Sequence, residues 1–546
     1  MTGLARGLKI NSMSKRQERL LTFLASPMSY PHRPGDVRSV ETHISWVFIA
    51  SPFVYKVKKP VNLGFLDFST LERRHHFCRR ELELNRRLCP EIYLAVIPIY
   101  EGDRGFSFDD AVGEAAEYAV KMLELPHGWF LSELLAKRAV GEAEINRVIS
   151  RLHSFYQSES PRSEIEEWGR SEKLKISTDE NFAQVTPFVG NTLSPLAFDA
   201  VRHFTDKFYV ANETLFEERI QHCRIRDCHG DLRLDHVHLT PEATTIFDCI
   251  EFTDRFRFID IANDLAFLVM DFDFEMQHKL GDLLLRNAAR EFRDPGMLQL
   301  TDFYKCYRAF VRGKVESIQA ISETNADREK HIERAARYFR LALRYATIGS
   351  EPCVLVVMGR IATGKSTVAK QLASELGWPI FSSDEIRKTL AGLPLTVRTP
   401  PSLRAEVYSD HMTHRTYEQL LKRGLAAGNI EGGVVLDATF ASRAKRDFLR
   451  EHCANVGFRL QVIELDADRD EITKRLAARD KSATELSDAR LEDLDKFSAA
   501  FQPPSELPGV ITVSTAASNL DAARAVLLRL AERQSVRSGS ESLRSL

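Results

Sequence analysis

One stretch, Cys353 to Thr367 (CVLVVMGRIATGKST), constrains this chain more than any other. Its apolar run, Val354-Leu355-Val356-Val357-Met358, is too short for a typical helix and rich in β-branched residues, so it predicts a buried strand. Gly359-Arg360-Ile361-Ala362-Thr363-Gly364-Lys365-Ser366 follows and fits G-x-x-x-x-G-K-[ST]. The two glycines let the backbone curl until successive N–H groups point inward. Thr367 leads into an amphipathic helix whose N-terminal end adds positive potential. In this pattern Lys365 reaches the outer phosphates of a nucleotide and the Ser366 hydroxyl ligates Mg2+.

The pattern resembles the P-loop NTPases over about residues 351–533. Further along, Trp378-Pro379-Ile380-Phe381 predicts a short strand, and Ser382 with Glu385 reads as a capping box opening a helix. On that helix Asp384 and Arg387 lie three apart and share a side. Such a carboxylate can accept a hydroxyl proton while the guanidinium clamps an anion. Residues 394–401 read as an irregular loop and 403–427 as one long helix. Val434 to Phe440 predicts a parallel strand carrying Asp437, placed to act through Mg2+ water or to hold the phosphate loop. Arg443, Lys445 and Arg446 begin the next helix, and Leu460 to Leu465 is another buried strand. Arg475 and Arg479, four apart on the helix after it, can face one phosphate. Taken together, S-S-D-E-I-R and the late arginines are similar to the gluconokinase-like and polynucleotide-kinase-like P-loop kinases. That resemblance implies Asp384 and Arg387 at the acceptor and Arg475 and Arg479 as lid arginines.

The chain's 546 residues allow two to four domains. With 44% hydrophobic and 28% charged residues it has ordinary globular composition. A net charge of −2 gives no whole-chain signal for a nucleic-acid or membrane partner. Eight cysteines are scattered without paired C-x-x-C spacing, which predicts reduced core thiols in a cytoplasmic protein. No run of 18 apolar residues is present, so no membrane span is expected. The N-terminal stretch is basic and lacks an apolar signal core, and Met13 is a second candidate start.

In the first half, 43–50 and 53–58 predict a hairpin around Ser51-Pro52. Lys56 and Lys58 share a strand face with Val54, and a lysine on an inner face needs an anion. A helix over 69–88 carries Glu81 and Glu83; strands follow at 93–100 and 118–125, then helical material to about 222. In 226–252 (RDCHGDLRLDHVHLTPEATTIFDCIEF), His229-Gly230-Asp231 sits in a polar loop. A small hairpin spans 237–239 and 245–247, and Asp248 ends it. Asp231 and Asp248 can therefore face one cleft, one orienting a hydroxyl and one holding Mg2+. His222, His229, His236 and His238 fit no usual zinc spacing. Asp271, Asp273 and Glu275 read as a solvated helix end. Helices at 304–318 and 328–347 lead to the linker 349–352.

His229-Gly230-Asp231-Leu232 resembles the protein-kinase catalytic loop, in the Gly variant of the aminoglycoside/choline-type phosphotransferases. Asp260-Ile261-Ala262-Asn263-Asp264-Leu265-Ala266 resembles that family's D-x-x-x-D-L-A brace. The resemblance covers about residues 38–345. It implies Lys56 on the nucleotide phosphates, with Lys58 as runner-up, Glu81 as its helix partner, Asp231 as catalytic carboxylate and Asp248 as Mg2+ ligand. It implies a hinge beside adenine at 122–125. Two departures stand out. Position 236 is His rather than Asn, so Asp235 or His236 itself takes that metal position, and no Gly-rich loop precedes the lysine strand.

The arrangement resembles a bacterial two-module family with an aminoglycoside-phosphotransferase-like domain fused to a P-loop kinase domain. The expected fold is α/β and α+β: an extension (1–37), a two-lobed protein-kinase-like domain (38–348), a linker (349–352), a P-loop domain with a parallel sheet (353–533) and a disordered tail (534–546). The expected function is bifunctional ATP-dependent, Mg2+-dependent transfer to small-molecule hydroxyls. One alternative is a regulatory nucleotide-binding protein with a pseudokinase-like first half. Another is a polynucleotide 5′-end kinase in the second half. A membrane partner is not expected, and nucleic acid only under that last alternative.

Overall fold

The computed structural model describes residues 14–64, 66–109, 113–480 and 487–537; the far tail and the first 13 residues lie outside them. The chain forms two compact units. The first draws on 1–177, 214–273 and 279–301, the second on 178–213, 274–278 and 302–546.

The first unit carries β1 (Arg38–Glu41), β2 (Ser45–Ala50), β3 (Phe53–Lys58), β4 (Tyr93–Gly102), β5 (Gly105–Ser107) and β6 (Glu114–Leu123). They form an antiparallel sheet in the order β1-β2-β3-β6-β4-β5. Alternation sets its faces. Trp46, Phe48 and Ala50 on β2 join Tyr55 and Val57 on β3 in one core, and the helix Lys15–Ala25 adds Leu20 and Leu24. The expected N-terminal extension is therefore, from residue 15, part of this core rather than an appendage. On the opposite face the helix Leu71–Arg86 sets Cys78 and Leu82 against Val96 and Val120. Lys56 pairs in register with Val120, so it faces that helix. The same unit carries β7 (Ile225–Asp227), β8 (Val237–Leu239), β9 (Thr244–Ile246) and β10 (Phe258–Asp260), which form two separate two-stranded sheets. β8 and β9 are the expected hairpin, and β7 pairs with β10.

The second unit carries β11 (Cys353–Gly359), β12 (Ile380–Ser382), β13 (Gly433–Asp437), β14 (Arg459–Asp466) and β15 (Ile511–Ser514). All pairings are parallel, in the order β12-β13-β11-β14-β15. β11 is central and buried along its whole length, which is why its sequence is apolar without alternation. The single helix expected over 403–427 is two, Pro401–Val407 and Asp410–Glu431, because Ser409 caps the second by accepting from the Met412 N–H.

The expected border at 349–352 is not where the units divide. Helices Pro195–Ala211 and Asn325–Thr347 pack with Asn519–Val536 in the second unit, and Asn212, just past the first of them, donates to Ser535 O (2.8 Å). Arg344 donates to the carbonyls of Leu376 (2.7 Å) and Gly377 (2.9 Å), where the Lys365–Leu376 helix ends. Ser350 is fixed by Lys305 (2.7 Å) and by Asp302. Nor does the tail begin at 534: Gln534 and Ser535 are buried, and Ser535 O accepts from Asn212.

Candidate active sites

In the second unit the loop leaves β11 at Gly359, whose φ is +140°; a Cβ there would stand 2.3 Å from the Leu465 carbonyl oxygen. Only glycine fits. Ile361 and Ala362 anchor the loop in an apolar cluster with Ile472 and Leu476, while Arg360 is exposed. Thr363 Oγ1 closes the turn on Arg360 O (2.9 Å). Gly364 caps the Lys365–Leu376 helix, which leaves the first N–H groups of that helix at the loop. Thr367 is exposed on the first turn, its N–H bonded to Gly364 O (3.1 Å).

Lys365 is half-buried with Nζ on Arg360 O (2.5 Å). Burial pushes its ammonium down to about 8, against the pull of Asp437 and Asp384; Arg479 pushes the same way as burial. Asp437 ends β13 and accepts from Ser366 and Ser382. Burial raises it despite those bonds. Asp384 is raised by burial and then by Asp437, against Arg387 and Lys365. Thus Lys365, Ser366, Asp384 and Asp437 converge at the carboxyl ends of β11, β12 and β13. Arg387 is 7% exposed, with Nη1 on Val407 O (3.0 Å) and Thr413 Oγ1 (3.1 Å).

The arginine pair expected at the phosphates is split. Arg475 is engaged from behind the loop by Glu471 (2.8 Å), Ala362 O (3.3 Å), Thr515 Oγ1 (2.9 Å) and Thr515 O (2.8 Å). Arg479 is the one whose charge reaches Lys365. Thr515, which also donates to Thr363 O (2.9 Å), was not legible in the sequence; a lone Thr after a strand carries no signal.

In the first unit Lys56 Nζ lies 2.9 Å from Glu81 Oε1 and 2.5 Å from Asp248 Oδ1. Burial alone would neutralise this lysine, but Asp248 and Glu81 hold it well above its ordinary value. Asp248 is correspondingly held below the usual carboxylate range by Lys56 and His236, against burial. Lys58 is fully buried between Glu81 (2.7 Å) and Glu251. Glu251 was missed, and its place three residues after Asp248 was the available clue. Asp248 has φ +66°, a strained backbone for a non-glycine residue.

Gly230 at φ +87° has Phe256 O 2.8 Å from where a Cβ would stand, so the His-Gly-Asp turn needs its glycine. Asp264 accepts from the N–H groups of His229 and Gly230 (both 2.9 Å) and from Tyr156 OH (2.9 Å), and so braces the loop. Asp260 pairs instead with Arg219 (2.7 Å). His229, kept neutral by burial, puts Nε2 on Phe247 O (2.8 Å). His236 stands between the carboxylates: Nδ1 meets Asp231 O at 2.8 Å, and Nε2 lies 3.6 Å from Asp248 Oδ2. Asp235 turns away to Arg233 (3.1 Å).

An Mg2+ ion takes oxygen donors and completes its shell with phosphate oxygens and water. Ser366 with Asp437 fits it, as does Asp248. An imidazole fits it poorly, and His236 is better described as a hydrogen-bonding spacer between Asp231 and Asp248. Among the described residues no group of three or more His, Cys, Asp or Glu is set to hold a metal. Nor, among them, is any helix long and apolar enough to cross a membrane.

In comparison with known proteins, an AAA domain family model matches residues 354–504, which include the loop after β11. Over most of its length the chain is 30% identical to "Uncharacterized protein Rv2004c" of Mycobacterium tuberculosis (strain H37Rv), across 463 residues that span 83% of this chain and 89% of the relative. "Uncharacterized protein Mb2027c" of Mycobacterium bovis gives the same values. The chain belongs to the family of these mycobacterial proteins. Among solved structures, a gluconokinase from Sinorhizobium meliloti 1021 is 22% identical, aligned over 36% of this chain and 98% of its own (TM-score 0.26). A shikimate kinase from Aquifex aeolicus is 17% identical over 34% and 99% (TM-score 0.25). At such scores the assignment of the loop rests on the family model and on the geometry above.

Proposed function

We propose that this protein is an ATP- and Mg2+-dependent phosphotransferase acting on hydroxyl groups of small molecules, with one site in each unit. In the second unit the loop N–H groups and Lys365 hold the β- and γ-phosphates. Ser366 and Asp437 hold Mg2+, which when bound offsets charge on the phosphate oxygens. Asp384 takes the proton as the acceptor oxygen bonds to the γ-phosphorus and the bond to ADP breaks. The observation that carries this reading is the convergence of Lys365, Asp384 and Asp437 at one end of the parallel sheet.

In the first unit Asp231 orients the acceptor hydroxyl, Lys56 meets the phosphates with Glu81 behind it, and Asp248 holds Mg2+. Support comes from the ion pairs joining β3, the Leu71–Arg86 helix and Asp248. A regulatory, pseudokinase-like module is the second reading for this unit; it is favoured by His236 standing where a metal-binding amide would serve. An ATP-consumption screen against a metabolite library decides, run on wild type, Lys365→Ala and Asp231→Ala. Two acceptors, each lost with one variant, is the expected result. Loss of all turnover with Lys365→Ala alone would leave the first unit regulatory.

A further inference from the structure

A hydroxyl of the chain itself already meets the base of the second unit. The half-buried Ser487 donates its Oγ–H to the Asp384 carboxylate. In the proposed reaction that carboxylate takes the proton of the acceptor hydroxyl, so Ser487 stands where an acceptor must stand.

The surroundings fix this contact. Asp384 and Lys388 are one turn apart on the helix Ser383–Leu390 and share a side. Ser487 meets the first and Asp488 the second: Lys388 Nζ, on a side chain 1% exposed, lies 3.7 Å from Asp488 Oδ1. The chain at 487–488 therefore runs along that side of the helix. Asp488 also accepts from the Thr399 N–H (2.9 Å), from the Thr399 hydroxyl and from Tyr408 OH (3.0 Å). The Tyr408 ring centre is in turn 4.8 Å from Arg387 Cζ. A serine beside such an anchor is held in one place before any reaction begins, which is what positioning a nucleophile requires.

The neighbouring hydroxyls are engaged elsewhere. Ser382 donates to Asp437, and Thr399 and Tyr408 donate to Asp488. Asp488 alone would tie the segment down, whereas Ser487 adds a nucleophile on the base. Asp384 also feels the charge of Lys365, so a γ-phosphate held by Lys365 is presented to the carboxylate that Ser487 occupies.

We propose that Ser487 is a phosphate acceptor in its own right, and that the second unit phosphorylates its own chain there. This rests on the proposed phosphotransfer at Asp384. The Ser487 oxygen bonds to the γ-phosphorus, the bond from that phosphorus to the bridging oxygen breaks, ADP leaves with the electron pair, and the hydroxyl proton passes to Asp384. An outside acceptor needs the same carboxylate, so it competes with Ser487.

The test uses the full chain carrying Asp231→Asn, so that the first unit is silent, after a phosphatase has stripped it of phosphate and been removed. ATP and Mg2+ are added; intact mass and peptide fragmentation then read how many phosphates appear and where. The expected result is a single phosphate on Ser487, formed with a rate constant that serial dilution of the protein leaves unchanged, as an intramolecular step requires. Ser487→Thr should keep the reaction and Ser487→Ala should lose it while still binding ATP. Asp384→Asn should slow it about 10²-fold or more. ADP release is followed in the same samples, with and without a metabolite library. ADP release with Ser487 unmodified, phosphate on a different hydroxyl, or a rate constant that falls on dilution would overturn the inference and leave phosphotransfer by this unit standing. Neither ADP release nor modification would overturn both.

Discussion

Arg475 Nη1 lies 3.3 Å from the carbonyl oxygen of Ala362, a residue held at φ +58° inside the phosphate loop. A left-handed alanine is unfavourable and persists where its surroundings over-determine it. Arg475 supplies part of that constraint, with its other nitrogens fixed by Thr515 and Glu471. Arg475→Ala should therefore lower thermal stability and weaken ATP binding together, by about 1.5–3 kcal/mol. Arg479→Ala should change stability by less than about 0.5 kcal/mol while slowing turnover. Melting curves with and without ATP, and ATP titrations, check both. Unchanged melting and affinity in Arg475→Ala would show that the loop holds its shape unaided.

The pH dependence of nucleotide binding should report on Lys365. In the free protein its pKa is lowered to about 8, so above that pH the resting side chain is neutral. Phosphate charges favour the ammonium and raise its pKa in the complex. Binding above pH 8 therefore takes up a proton, and affinity falls as pH rises, by up to about tenfold per unit. Lys365→Arg keeps its charge through this range, and its affinity should stay flat from pH 7 to 9.5. Calorimetry in buffers of different ionisation enthalpy counts the proton; a wild-type curve as flat as the arginine variant's would contradict the shift.

The phosphate loop and its sheet were legible because periodicity and a spaced motif coincide: β11 is apolar throughout, as a central parallel strand must be. Lys56 and Asp248 could also be placed, since each sits on a strand or turn that its own sequence predicts, whereas Glu81 was singled out only through the kinase resemblance, its own sequence reading as a surface charge on a helix that in the fold buries it. What could not be read was which nitrogen meets which oxygen. Arg475 and Arg479 share a helix and a four-residue spacing, and only Thr515, 40 residues on, separates their roles. The unit border failed for a related reason. Gly349-Ser350-Glu351-Pro352 has linker composition, but the tertiary partners of the helix before it decide where it belongs.

Lys58 should matter more for stability than Lys56. Its ammonium is fully buried between Glu81 and Glu251, both buried, whereas Lys56 keeps 12% of its side chain exposed. Lys58→Met leaves Glu251 without its closest counter-charge; removing one partner of such a group costs about 3–5 kcal/mol. Lys56→Met leaves Glu81 with Lys58 and Asp248 partly solvated, so its cost should be smaller and its effect on ATP affinity larger. Equal melting temperatures for the two variants would refute this ranking.

The last prediction concerns where the nucleotide-binding unit begins. A fragment starting at β11, residues 353–537, contains the whole parallel sheet and the phosphate loop, and its sequence alone makes it look self-sufficient. In the fold its final helix, Asn519–Val536, packs on helices Pro195–Ala211 and Asn325–Thr347 as well as on the Lys365–Leu376 helix and β15. Stripping the first two exposes the part of the helix that they cover. Each large aliphatic side chain uncovered costs about 1.5–3 kcal/mol, and a few of them match the 5–15 kcal/mol that is typical of a whole domain. The fragment also loses Arg344 from the carbonyls that end the phosphate-loop helix. It should therefore bind a hydrophobic dye and melt without cooperativity. Residues 302–537, which restore the Asn325–Thr347 helix and Arg344, should gain a measurable transition. Adding residues 178–213 in trans should sharpen that transition and raise ATP affinity towards that of the full chain. If 353–537 alone melts cooperatively and binds ATP as tightly as the full chain, the two helices are passengers and the unit begins at Cys353.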